Sequence, residues 1–150
     1  MQTKIPPPVW LLLFGTAMWF LAKSEYALGI DIPFAPLPAV LIAAFGISCS
    51  ARALLLFRAA GTTVNPLHPE EASSLVTDGI FARTRNPMYV GLLLVLTGWA
   101  VWLQSLGNLL LLLVFIPLIT YLQIRPEEAA LQKLFGDAYA DYCRRVPRWL

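Results

Sequence analysis

Four long apolar stretches crowd into one short chain, and no other feature restricts its fold as tightly. They cover residues 9–30, 34–57, 88–103 and 106–124. A helix needs roughly 20 residues to cross a hydrocarbon core, within about 17–25. Each stretch is therefore read as a membrane span. The third is short by that measure, but the polar Gln104-Ser105 that follows it suits a membrane interface. Almost nothing joins the third stretch to the fourth, so those two form a tight antiparallel hairpin.

Composition agrees. The chain has 150 residues, 58% of them hydrophobic and 13% charged. A soluble domain carries roughly 25% charged residues, so an ordinary small soluble domain is a poor fit. The apolar content also excludes disorder. The length accommodates one domain, residues 1–150. The net charge of +2 comes without a basic stripe apart from the span flanks, so a nucleic-acid partner is not expected. Cys49 lies in an apolar stretch and Cys143 in the polar tail, at different depths, which argues against a disulfide. His68 is the lone histidine and no cysteine cluster accompanies it, so no metal site is expected.

A cleaved signal peptide is the rival reading of the first stretch. Pro6-Pro7-Pro8 interrupts its charged start and no small-residue cleavage site follows, so a retained span is preferred. Basic residues set the orientation. With the N-terminus cytoplasmic, Lys4, Arg52, Arg58, Arg83, Arg85, Arg125, Lys133, Arg144, Arg145 and Arg148 all fall inside, and Lys23 alone falls outside. The expectation is a multi-pass integral membrane protein with both termini, the loop 58–87 and the tail 125–150 on the cytoplasmic side. Its fold class is all-α, a bundle of about four transmembrane helices with a cytoplasmic amphipathic C-terminal helix.

Two polar motifs abut the hairpin at that face. Arg85-Asn86-Pro87-Met88-Tyr89-Val90-Gly91 opens the third span. Asn caps free backbone N–H groups and Pro suits the first helical position. A helix N-terminus also attracts anions, and Arg83 and Arg85 reinforce that field. Gly91 permits a close approach, either by a ligand or by another helix alongside Gly98. Both readings of Gly91 stand. The second motif, Arg125-Pro126-Glu127-Glu128, follows the fourth span. The helix dipole alone favours acidic residues there. Their position opposite Arg85-Asn86 adds a chemical reading: carboxylates accept from ribose hydroxyls or an ammonium group, and arginines clamp a carboxylate. Downstream, Leu131, Leu134, Phe135, Ala138, Tyr139 and Tyr142 recur at helical spacing, as in a helix lying on the membrane face or over the loop. Gly136 marks a bend in that helix, and Pro117 a kink in the fourth span.

At these residues the chain resembles the superfamily of isoprenylcysteine carboxyl methyltransferases and phospholipid methyltransferases, which are integral membrane enzymes. The likeness covers about residues 50–150. It rests on Gly61-Thr62-Thr63-Val64 to Pro66, Leu75-Val76-Thr77-Asp78-Gly79, the Arg85–Gly91 motif, Glu127-Glu128 with Leu131, Phe135-Gly136 with Tyr139 and Tyr142, and Val146-Pro147-Arg148. The resemblance implies S-adenosylmethionine as cofactor, bound between the start of the penultimate span and the tail. It implies Asn86, Pro87, Tyr89 and Gly91 as one half of the cofactor site and Glu127 and Glu128 as the other. Arg125 and Arg85 would serve catalysis, Arg125 by steering the substrate. The implied partners are membrane lipids and a lipophilic or lipid-anchored substrate. Many members carry His where this chain has Asn86, and Asn cannot carry a proton. A carboxylate acceptor needs no general base at neutral pH, whereas an amine does; a carboxylate, or a thiolate already deprotonated, is therefore favoured. Two rival classes remain: a membrane reductase of related architecture using a nicotinamide cofactor, and a non-catalytic small membrane protein.

Overall fold

The computed structural model describes residues 5–62 and 73–150. The motif pieces Thr63, Val64, Asn65 and Pro66, as well as His68 and Lys4, lie outside the described residues. Five helices follow in order: α1 (Pro7–Ala22), α2 (Pro36–Ala59), α3 (Pro87–Trp102), α4 (Asn108–Ile119) and α5 (Arg125–Arg145). Among the described residues the only extended pairing is an isolated bridge between Gly29 and Ser105.

Proline starts three of the helices. Pro7, Pro36 and Pro87 stand in the first turns of α1, α2 and α3, where a missing N–H costs nothing. The first helix stops well before residue 30. Ser24 explains the stop: its hydroxyl donates to the Leu21 carbonyl and accepts from the Tyr26 N–H, which draws the chain into a short 3-10 turn. Lys23 and Glu25 thus lie beyond the helix, in a polar turn.

The fourth stretch shows the opposite departure. The tail helix was expected as a separate piece, but α4 runs without a break into α5 through a π turn at Thr120–Ile124. Pro117 inside α4 has no N–H for the Leu113 carbonyl, and the wider turn that follows absorbs the misfit. Thr120 steadies it by donating its hydroxyl to the Ile116 carbonyl at 2.7 Å.

α1 to α4 alternate in direction, and α5 continues α4. α2 packs along α3 through glycines: a Cβ on Gly46 would stand 2.6 Å from the Gly91 carbonyl oxygen, and one on Gly98 2.6 Å from that of Ala39. Small residues bring helix backbones together in this way inside membranes. α1 lies on α3 and α4, tied by the Trp99 indole N–H donating to the Gly15 carbonyl at 3.0 Å. Phe14 and Phe115 meet edge to face at 5.1 Å within this core, beside Met18, Leu96 and Ile119.

The outer surface is also apolar. Leu13, Phe20, Leu41, Phe45, Leu110 and Leu113 are exposed. α2 and the continuous α4–α5 helix are long and apolar enough to cross a membrane. Only 17% of the most apolar stretch of α2 and 28% of that of the other are buried, which is not how the core helix of a soluble protein sits. α1 and α3 have 16 residues each, about 24 Å of helix.

Candidate active site

One end of the bundle gathers the chemistry. The Gln123 amide donates to the Ile5 carbonyl, Ser50 donates to the Met88 carbonyl, and α5 begins there. The loop returns to the same end: the Ser73 and Ser74 N–H groups donate to the Thr62 hydroxyl. A 3-10 turn at Gly79–Ala82 then leads into α3.

Tyr89 and Glu127, predicted as halves of one site, meet directly. The Tyr89 hydroxyl donates to Glu127 Oε1 at 2.6 Å. Both arise at helix starts, Tyr89 in the first turn of α3 and Glu127 in the first turn of α5. Burial pushes the Glu127 carboxyl up to about 7; the Tyr89 hydrogen bond opposes that shift and the neighbouring Glu128 charge adds to it.

Glu128 has a different environment. Arg148 grips both its oxygens, with Nε at 3.0 and 3.1 Å and Nη2 at 2.7 Å. Arg85 Nη1 lies 3.2 Å from Oε1 and also contacts Cys143 Sγ. The two adjacent carboxylates are therefore unequal. Two guanidinium groups neutralise Glu128, while Glu127 faces one phenol. Arg85 Nε is buried without a hydrogen-bond partner.

The C-terminal segment closes over the start of α3. The Arg85 N–H donates to the Pro147 carbonyl at 3.0 Å. The Thr84 hydroxyl and the Asn86 amide both donate to the Arg148 carbonyl, at 3.2 and 2.9 Å. The Trp149 indole donates to the Thr120 hydroxyl at the π turn. Asn86 was expected to cap α3 with its side chain. It makes no such bond; its Nδ2 donates instead to the Arg148 carbonyl. Pro87 is buried at the helix start.

The remaining predicted residues lie elsewhere. Gly91 faces α2, where an added Cβ would run into Ser50 Oγ and the Gly46 carbonyl. That contact accounts for Gly91 by helix packing. Arg125 is exposed, its guanidinium 4.1 Å over the Tyr121 ring. It stands one turn from the ion pairs and takes no part in those described.

Sequence reasoning gave Arg148 no role in the site, although Val146-Pro147-Arg148 stood out as a motif. The missing signal was the fold-back of the chain end. The tail stripe is also split. Tyr139, Tyr142 and Val146 are buried, packed against the half-buried Leu75, Leu131 and Phe135, and Tyr142 donates to the Phe81 carbonyl at 2.7 Å. Leu134 and Ala138 are exposed instead. Gly136, at φ 52° and ψ −123°, breaks the helical phase between them. Among the described residues, no His, Cys, Asp and Glu cluster could hold a metal.

The donors and acceptors suit a ligand that carries a cation or hydroxyl together with an anion. Glu127 offers a carboxylate to a cation or hydroxyl, and Arg85 holds an unused N–H for an anion.

Comparison with known proteins bears on the same region. The profile of the phospholipid methyltransferase family matches residues 34–138. An uncharacterized protein of Haemophilus influenzae is 43% identical over 63 residues, covering 42% of this chain and all of that protein. The protein-S-isoprenylcysteine O-methyltransferase of Schizosaccharomyces pombe is 42% identical over 77 residues, 49% of this chain but 31% of the enzyme. The Delta(14)-sterol reductase of Mus musculus is 33% identical over 75 residues, 49% of this chain and 18% of the reductase. The chain thus matches less than a third of the length of either named enzyme. No solved structure matches. With most of its length inside the family profile, the chain belongs to the phospholipid methyltransferase family, within the superfamily of membrane methyltransferases.

Proposed function

We propose that this protein transfers a methyl group from S-adenosylmethionine to a lipophilic acceptor held at the membrane, with a carboxylate favoured. One observation carries the reading: the Tyr89–Glu127 contact joins the two motif halves at one end of the bundle, beside Arg85 and Glu128. In this account residues 1–150 form one domain and the helices cross the membrane four times. Both chain ends face the cytoplasm, and α5 lies on that side as the amphipathic cover of the site.

When bound, the cofactor supplies an electrophilic methyl on a sulfonium that leaves as a neutral thioether. Glu127, in its ionised form, accepts from the ammonium or ribose, and Tyr89 orients it. Asn86 and Pro87 shape the start of α3 around that site. The Arg148–Glu128–Arg85 cluster fixes the tail over the site and excludes water, which alignment of the reacting atoms requires. Arg125, exposed at the membrane edge, steers an anionic acceptor, and Arg85 supports it with charge. An acceptor carboxylate is already ionised at neutral pH and needs no base.

The similarity to the sterol reductase supports a second reading, a reductase using a nicotinamide cofactor. Calorimetric titration of the detergent-purified protein separates the two. S-adenosylhomocysteine should bind, and Glu127→Gln should weaken it about tenfold or more, as expected for a charge-assisted hydrogen bond. Binding of NADPH with none of S-adenosylhomocysteine would favour the reductase.

A further inference from the structure

A cavity lies toward the opposite end of the bundle from Glu127. It is an elongated cleft of about 650 Å³ between α1 and α2, with α3 as its floor. Leu12 and Trp19 form one wall, Val40 and Ala43 the other, and Gly98 and Trp102 lie along the floor. Its volume falls within the roughly 300–1,000 Å³ of small-molecule sites. From Leu11 to Trp19 it follows α1 for about 12 Å, at 1.5 Å per residue. The shape is therefore a slot parallel to the helices, which is how an acyl chain lies in a bilayer. Thr16 is the one hydroxyl in a lining otherwise of aliphatic and indole side chains.

The rim tells what fills the slot. Trp19 and Trp102 are half exposed at the helix ends, where indoles settle at a membrane interface. Lys23 Nζ stands 5.3 Å from the centre of the Trp19 ring. Glu25 in the same turn and Asp31 in the segment after it are exposed, but the ammonium is the charge held against a lining side chain. We propose that this cleft is a phospholipid site, with one acyl chain in the slot and the lipid phosphate on Lys23. It is separate from the methyl-transfer site and does not depend on it.

Native mass spectrometry of the detergent-purified full chain tests this with two probes, palmitoyl-oleoyl phosphatidylglycerol and palmitoyl-oleoyl diacylglycerol. Wild-type protein should retain one phosphatidylglycerol in a saturable manner. Lys23→Gln should weaken it about fivefold, the worth of one lysine near a phosphate surface, while Lys23→Arg retains it. Diacylglycerol binding should be equal in all three. Thr16→Phe, which fills the slot from an exposed helix position, should abolish both lipids. Equal phosphatidylglycerol affinity in wild type and Lys23→Gln would overturn the phosphate contact. Retention of lipid by Thr16→Phe would overturn the slot. A lipid-free dimer that Thr16→Phe dissociates would place a second copy in the cleft and overturn the proposal.

Discussion

Glu127 and Glu128 are neighbours in sequence and opposites in environment. Glu128 sits between Arg85 and Arg148, while Glu127 is half-buried against the Tyr89 hydroxyl. The sequence showed that a carboxylate pair stood near Arg85; it could not show which carboxylate the arginines take. That depends on Arg148, which arrives from the chain end. The raised Glu127 pKa has two consequences. Its ordinary value is 4.5 and its folded value about 7, so between those pH values the folded protein binds the extra proton. Stability of the ligand-free protein from this group therefore falls as pH rises across that window. A cationic ligand group prefers the ionised form, so S-adenosylhomocysteine affinity should rise from pH 5.5 through the folded value of about 7 and level off roughly one unit above it. Calorimetric titration at a series of pH values checks this, and Glu127→Gln should flatten the curve. A wild-type affinity independent of pH would detach Glu127 from the cation.

Helix elements were legible where periodicity and proline agreed. The spans that became α2 and α3 shifted by a residue or two from their expected bounds, since Pro36 and Pro87 mark their starts. The end of α1 was overrun because apolar residues continue past Ser24, and hydropathy does not register a hydroxyl that bonds the backbone. The join of α4 to α5 was missed for a related reason. Pro117 signals a disturbance, yet only the packing decides between a break and a π turn. Gly91 was readable both as packing and as ligand approach; the identity of its neighbour, Ser50 on α2, is a tertiary fact. The fold-back of the tail suggests an experiment on elements. Glu128→Ala leaves Arg85, only 11% exposed, without its carboxylate, and should cost about 3 kcal/mol. Arg148→Ala leaves Glu128 paired with Arg85 and should cost about 1 kcal/mol. Denaturant unfolding in detergent, followed by tryptophan fluorescence, measures both. Equal small losses would mean that the tail does not latch the site.

The described helices form a bundle that leaves many large apolar side chains on its outside. The two ends differ in charge: Arg52, Arg58, Arg83, Arg85, Arg125, Lys133, Arg144, Arg145 and Arg148 belong to the end with the ion pairs, and Lys23 to the other. The proposed orientation follows the positive-inside rule and puts the ion-pair end in the cytoplasm. A cysteine introduced at Gln104 should react with an impermeant maleimide from outside intact cells, and one at Ser73 should not. The reverse pattern would invert the topology and put the site on the wrong side for a cytoplasmic cofactor. Membrane methyl transfer is the central claim. Its most direct measurement is the incorporation of label from methyl-labelled S-adenosylmethionine into the lipid-extractable or lipid-anchored fraction of membranes. Membranes holding the wild-type chain should gain base-labile label, as a carboxyl methyl ester does. Those with Glu127→Gln at equal abundance should gain at least tenfold less. Equal labelling by wild type, Glu127→Gln and membranes lacking the chain would contradict the account.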